Sequence, residues 1–159
     1  IPLFRRATPL PVIAAGGMYG GKSMLAAFSL GADGIQIGSR FAIAKESSAH
    51  HNFKQKVIEI NEGETRLVLK KLAPVRLIKN SFYHKIVDAE DSGASRKELL
   101  ELLGRGRSKM GIFEGNLDDG ELEIGQISAE LKKMQTAEEI IQEIIKEFAD
   151  EINKLGGKK

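Results

Sequence analysis

The sequence predicts an α/β protein: a parallel strand–helix–strand unit, then a mainly helical lobe, then a long C-terminal helix. Three observations predict it. Residues 11–41, PVIAAGGMYGGKSMLAAFSLGADGIQIGSRF, read as strand, glycine turn, helix, strand, glycine turn. Past residue 47, helical spacing of apolar residues dominates over alternation. Near the end, the capping box Thr136-Ala137-Glu138-Glu139 opens an amphipathic stretch.

Taken in order, residues 1–7 read as the last turns of a helix. Pro9 and Pro11 flank the link into the first strand, because proline stops a helix and biases its predecessor to extended geometry. The apolar run 11–15 suits a parallel strand buried on both faces. Residues 23–30, rich in Ala and Leu, predict a helix with Gly31 at its C-terminal cap. Residues 34–37 predict the second strand. A crossover this short is right-handed, so both strands run parallel and both glycine turns open on one edge.

Residues 49–59 predict a helix capped by Ser47 or Ser48, with Phe53, Val57 and Ile60 on one face. Residues 65–69 have strand propensity, 73–78 are extended or helix-starting, and 81–90 are helical. Ser95-Arg96-Lys97-Glu98 is a capping box before a leucine-rich helix stopped by Gly104. Residues 107–113 predict a short helix and 116–120 a turn. Ile124, Ile127, Leu131 and Met134 have helical spacing. In the final helix, Ile140, Ile141, Ile144, Ile145, Phe148 and Ile152 are the expected buried side. The expected divisions are 1–46, 47–123 and 124–159.

The chain has 159 residues, a net charge of +2 and no Cys. Disulfide frameworks and thiolate metal sites are therefore excluded, and a cytoplasmic location is the expectation. No leader is visible, and no apolar run approaches the ~18 residues of a membrane span. Basic residues alternate with acids, which argues against a nucleic-acid surface. Only residues 154–159 cluster positive charge, and they read as a solvated end. The chain begins at Ile1 and enters a strand almost at once. Two parallel strands do not close a barrel, so the expectation is the C-terminal portion of a longer protein, with further strands upstream.

The two glycine turns are the candidate site. Gly16, Gly17 and Gly38 allow close backbone approach, and each turn leads into a helix N-terminus, which predicts an anion site. Ser39 adds a hydroxyl. Gly38→Val is expected to abolish ligand retention, both by filling space and by resisting positive φ. Single glycines also serve as tight turns in any α/β protein; two glycine turns one crossover apart favour phosphate. Arg40 has two candidate partners, a phosphate or an acid at the sheet rim. His50 and His51 suit a helix cap or surface hydrogen bonds, and His84 a structural place. No side-chain set has metal-ligand spacing.

The segments PVIAAGGM, LGADGIQIGSRF and AKESSAHHNFKQKV, followed by LAPVRLIKN and GELEIGQISAEL, resemble the nitronate monooxygenase family, formerly the 2-nitropropane dioxygenases, over essentially the whole chain. The type II, FMN-dependent enoyl-ACP reductases belong to the same superfamily. The resemblance implies the C-terminal βαβ part of a TIM (β/α)8 barrel, strands seven and eight, followed by a mainly helical lobe and a long C-terminal helix. It implies FMN as cofactor. Gly16 and Gly17 match the phosphate loop, and Gln36, Ile37, Gly38 and Ser39 match the segment along the phosphate and ribityl chain. Gln126 matches a glutamine near the flavin. The family usually has Thr where Ser39 stands. Its catalytic histidine lies in a glycine-rich segment upstream of strand seven, without counterpart here, so no catalytic residue is assigned and the chain in isolation is expected to be inactive. The implied reaction oxidises an alkyl nitronate with oxygen. The alternative is NADH-dependent reduction of an enoyl thioester, and the alternative of another class is a non-catalytic phosphate-binding or interaction module. An enzyme of the inosine monophosphate dehydrogenase type is disfavoured, since its nucleophile is a Cys. The expected partner is the small-molecule substrate, a nitronate or an enoyl thioester with NADH; in the non-catalytic reading the bare sheet edge calls for a second copy of the chain.

Overall fold

The computed structural model describes residues 1–157. The chain divides into two compact units, one formed by residues 1–46 and the segment from Gln135, the other by Ser47–Met134. The expected 124–159 segment is thus divided, residues 124–134 belonging to the second unit. Lys158 and Lys159 of the expected basic end lie outside the described residues. Among the described residues no helix is long and apolar enough to cross a membrane.

In the first unit, helix α1 (Pro2–Ala7) starts on a proline, whose missing N–H costs nothing at that position. Strands β1 (Ile13–Ala15) and β2 (Gly34–Gln36) pair in parallel, with Ala14 opposite Ile35 and Ala15 opposite Gln36. The crossover is helix α2 (Gly21–Ser29), followed by Gly31 at φ 96°. Asp33 ties the links together: its carboxylate accepts from the Val12 amide (2.8 Å) and from Arg5 (3.1 Å). The β1 strand departs from the expectation of burial on both faces. Only Ala14 is buried, while Ile13 is 54% exposed.

Helix α3 (Ser39–Ala42) follows β2. The last element is helix α7 (Ala137–Gly156), which has the predicted capping box: the Thr136 hydroxyl accepts from the Glu139 amide (3.1 Å) and the Glu139 carboxylate from the Thr136 amide (2.7 Å). α7 packs on α2, and Gly21 makes this possible. A Cβ at Gly21 would stand 2.6 Å from the Ile144 carbonyl and 2.7 Å from the Glu147 carbonyl carbon, both backbone atoms of α7. Ile140 and Ile144 are buried with Ala44, but Ile141, Ile145 and Ile152 are 46, 55 and 43% exposed. The expected single apolar side is therefore two adjacent stripes. At 100° per residue, 140/144 and 141/145 cannot both face α2.

The second unit begins with helix α4 (His51–Glu59). Its cap is neither expected serine. His50 Nδ1 accepts from the Asn52 amide at 3.1 Å. Phe53, Val57 and Ile60 are all buried, as their spacing predicts. The lobe is less helical than expected: β3 (Thr65–Val68) and β4 (Val75–Ile78) form an antiparallel hairpin, with Val68 opposite Val75. Helices α5 (Ser81–Asp91) and α6 (Arg96–Leu103) cover it, the latter with the predicted capping box. Their shared core is Val68, Leu77, Phe82, Ile86 and Leu99. Residues 107–113 include a π-helical turn at Lys109–Phe113 rather than an α-helix.

The predicted helix over 124–134 is not formed. The Ile124 amide donates to the Arg76 carbonyl (3.2 Å) and the Ile78 amide to the Leu122 carbonyl (3.0 Å), so 122–124 extend along β4. Gly125 is extended, and Gln126–Glu130 is a 3-10 turn. The sheet edge offered this backbone better partners than a helix could, and a strand followed by a turn reproduced the apolar spacing.

Candidate functional site

The register of β1 and β2 places the two glycine turns side by side. Ala15 and Gln36 are partners, so Gly16-Gly17 and Ile37-Gly38 leave the sheet at one level of one edge. Gly16 and Gly17 have φ of 86° and 70°, consecutive left-handed conformations that favour glycine. Backbone N–H groups left unpaired in such turns are what anion-binding concavities are made from. At Gly16, Gly17 and Gly38 a Cβ would meet nothing within 4 Å, so open space lies beside both turns. Gly38 has φ −99°, which corrects the expectation of a positive φ there. Its lack of a side chain matters for space alone.

The start of α2 also departs from the expectation. The Gly21 amide, first in α2, donates to Glu147 Oε2 at 2.5 Å. The Tyr19 and Gly20 amides both donate to Ser23 Oγ at 3.1 Å. The N-terminus of α2 thus already holds a carboxylate. Among the other predicted residues, Gln36 is exposed and Ser39 is the first residue of α3. The half-buried Ile37 side chain packs toward Ala44 and Ile140. Gln126 lies in the second unit, exposed, at the start of its 3-10 turn.

The histidines all fall in the second unit. His50 caps α4, and His84 lies edge-on to Tyr83 at 5.1 Å. Among the described residues no group of three His, Asp or Glu side chains could hold a metal ion. Asn116 organises the turn 116–120: its Oδ1 accepts from the Asp118 (3.1 Å) and Asp119 (2.9 Å) amides. The Lys85 ammonium, 2.7 Å from Asp119, holds that carboxyl below its usual range.

One acidic pair has no role in the chemistry that the sequence predicts. Glu121 is buried and accepts from the Ser108 hydroxyl at 2.7 Å, while Glu123 lies 3.4 Å from that hydroxyl. The alternation Glu-Leu-Glu is its signal, since residues two apart in a strand share a face. Glu123 is itself exposed, but partial desolvation of its carboxyl, and then the Glu121 charge, push it up. A carboxyl raised in the folded state favours folding below its ordinary value and loses that contribution as pH rises through its folded value. We therefore expect Glu123→Gln to be more stable than the parent at pH 7–8, with the difference vanishing near pH 4. Thermal melts across that range check it, and a constant offset at every pH would be the contrary result.

A family model for nitronate monooxygenase matches residues 1–147. The chain belongs to that family, a group of oxidoreductases. A probable nitronate monooxygenase from Bacillus subtilis is 52% identical over 67 residues, 42% of this chain and 19% of that protein. One from Staphylococcus saprophyticus is 29% identical over 148 residues, 91% of this chain and 41% of that protein. The structure of FabK from Thermotoga maritima matches with a TM-score of 0.90 and 33% identity over 98% of this chain and 50% of that one. The chain thus spans about half the length of the relatives it matches along its whole course.

Proposed function

We propose that this chain supplies the phosphate-holding part of an FMN-dependent oxidoreductase that oxidises alkyl nitronates with oxygen. The observation that carries the reading is the juxtaposition of two glycine turns, set level by the Ala15–Gln36 pair, with open space where their side chains would be. That cradle fits a phosphate monoester. The Gly16, Gly17 and Gly38 backbone and the Ser39 hydroxyl would hold the dianion. Gln36 and the Ile37 backbone would line the sugar-alcohol chain. When bound, the flavin supplies the electron-transfer chemistry, and the protein's part is to bind and orient. No residue of the chain is assigned as a proton carrier.

The proposal includes a (β/α)8 barrel in which β1 and β2 are strands seven and eight. The exposed side of β1 supports it: a concave apolar surface of about 650 Å³ runs along Leu10, Val12 and Ile13 to Gly16. Leu10 is 68% exposed there, a surface suited to further strands.

The complete gene product tests the reading. Bound flavin is confirmed by absorbance, and the protein is titrated without oxygen with an alkyl nitronate or with NADH. Bleaching by nitronate and not by NADH is the expected result. Rapid bleaching by NADH would transfer the protein to the enoyl reductases. A colourless protein that cannot be loaded with FMN would leave the cradle to another phosphate ligand and favour a binding module.

A further inference from the structure

We propose that Arg40 is a positioning residue that fixes the two glycine turns relative to each other and thereby sets affinity for the phosphate end of the ligand. The inference rests on the phosphate reading of those turns. Arg40 follows Ser39 directly, and its side chain is 9% exposed. One guanidinium nitrogen, Nη1, donates to the Tyr19 carbonyl at 2.8 Å. The other, Nη2, donates to Gln135 Oε1 at 3.0 Å and lies 2.9 Å from Glu143 Oε2. Gln135 Nε2 closes the triangle by donating to the same Glu143 oxygen at 2.6 Å.

The segment after β1 is therefore held on two sides. The Tyr19 amide is bound by Ser23, and the Tyr19 carbonyl by a side chain that grows from the segment after β2. Gln135 is anchored in turn, because its carbonyl accepts from the Lys45 amide at 2.9 Å. A planar guanidinium can hold acceptors in fixed directions at once, whereas an ammonium on a flexible stem cannot. The charge is already matched by Glu143, so Arg40 has no counter-charge to offer a phosphate and acts through geometry. Two turns that must present N–H groups to one anion are sensitive to small errors of spacing.

The test compares FMN and riboflavin, which differ by the phosphate, in equilibrium titrations of the apo form of the complete gene product. The parent should prefer FMN. Arg40→Lys should weaken FMN about tenfold or more and leave riboflavin affinity unchanged, so that the preference collapses. Glu143→Gln keeps an acceptor in place and should retain the preference. If Arg40→Lys does not fold, Gln135→Leu, which removes one acceptor, should narrow the preference in the same direction. A preference that survives Arg40→Lys overturns the role of Arg40, as does equal weakening of both ligands. Equal affinity of the parent for FMN and riboflavin overturns the phosphate reading itself, and this inference with it.

Discussion

Replacing Gly38 by valine is expected to lower FMN affinity at least about 100-fold, equivalent to about 2.7 kcal/mol, while the protein still folds. Gly38 lies at φ −99° and ψ −66°, which a β-branched residue can adopt, and a Cβ there meets no atom within 4 Å. The folded state therefore has room for valine. What it loses is the space beside the turn and the close approach of the backbone N–H groups to an anion. Hydrogen bonds to a charged group contribute about 1.5–3 kcal/mol each, so displacing the phosphate from one or two of them accounts for the expected loss. Gly17→Val is less informative, because φ 70° adds backbone strain to the same loss of space. The check is flavin content after purification together with an apo-protein melt. Unchanged flavin content in Gly38→Val would remove Gly38 from the site.

The second large effect is on stability. Gly21→Ala should destabilise the first unit by about 3 kcal/mol, the upper part of the range for overpacking. Alanine normally favours a helix over glycine by at most about 1 kcal/mol, and at the first helical turn by less. Against that gain stands a Cβ placed 2.6 Å from the Ile144 carbonyl. Main-chain atoms of a regular helix cannot rotate away as a side-chain tip can, so α7 as a whole must shift. The Gly21–Glu147 hydrogen bond at 2.5 Å would shift with it. Thermal unfolding should show a transition lowered by roughly 6–12 °C. A melt equal to the parent's would mean that α7 does not hold α2 as closely as the backbone distances state.

How much of this was legible in the sequence depended on distance along the chain. The capping boxes Ser95–Glu98 and Thr136–Glu139 were readable because each is complete within four consecutive residues. The parallel pair and its glycine turns were readable because one short crossover dictates both. The closing of the α2 N-terminus by Glu147 was not readable, since its two ends are 126 residues apart. The partners of Arg40 were undecided for the same reason, with Gln135 lying 95 residues away. Residues 124–134 were misread because apolar spacing does not say whether a strand edge is waiting, and β4 was waiting for Ile124. At α4, His50 outcompeted Ser47 and Ser48 simply by standing next to the helix. Ile141 and Ile145 carry the right residue type one helical position, about 100°, away from the buried stripe.

The first unit is discontinuous in the chain, and its two pieces are stitched where the second unit leaves and returns. The Lys45 amide donates to the Gln135 carbonyl at 2.9 Å, and the Glu46 carboxylate accepts from the Ala137 amide at 3.0 Å. Ser47–Met134 is thus an insertion between flanking segments that are themselves hydrogen-bonded to each other, the arrangement in which one module is most easily exchanged for another. During synthesis the β1–α2–β2 unit must wait, with the α2 face that receives Ile144 and Phe148 uncovered, until the whole insertion has emerged. A nascent chain in that state exposes apolar surface, so a fast-folding insertion shortens the interval in which the host unit can aggregate.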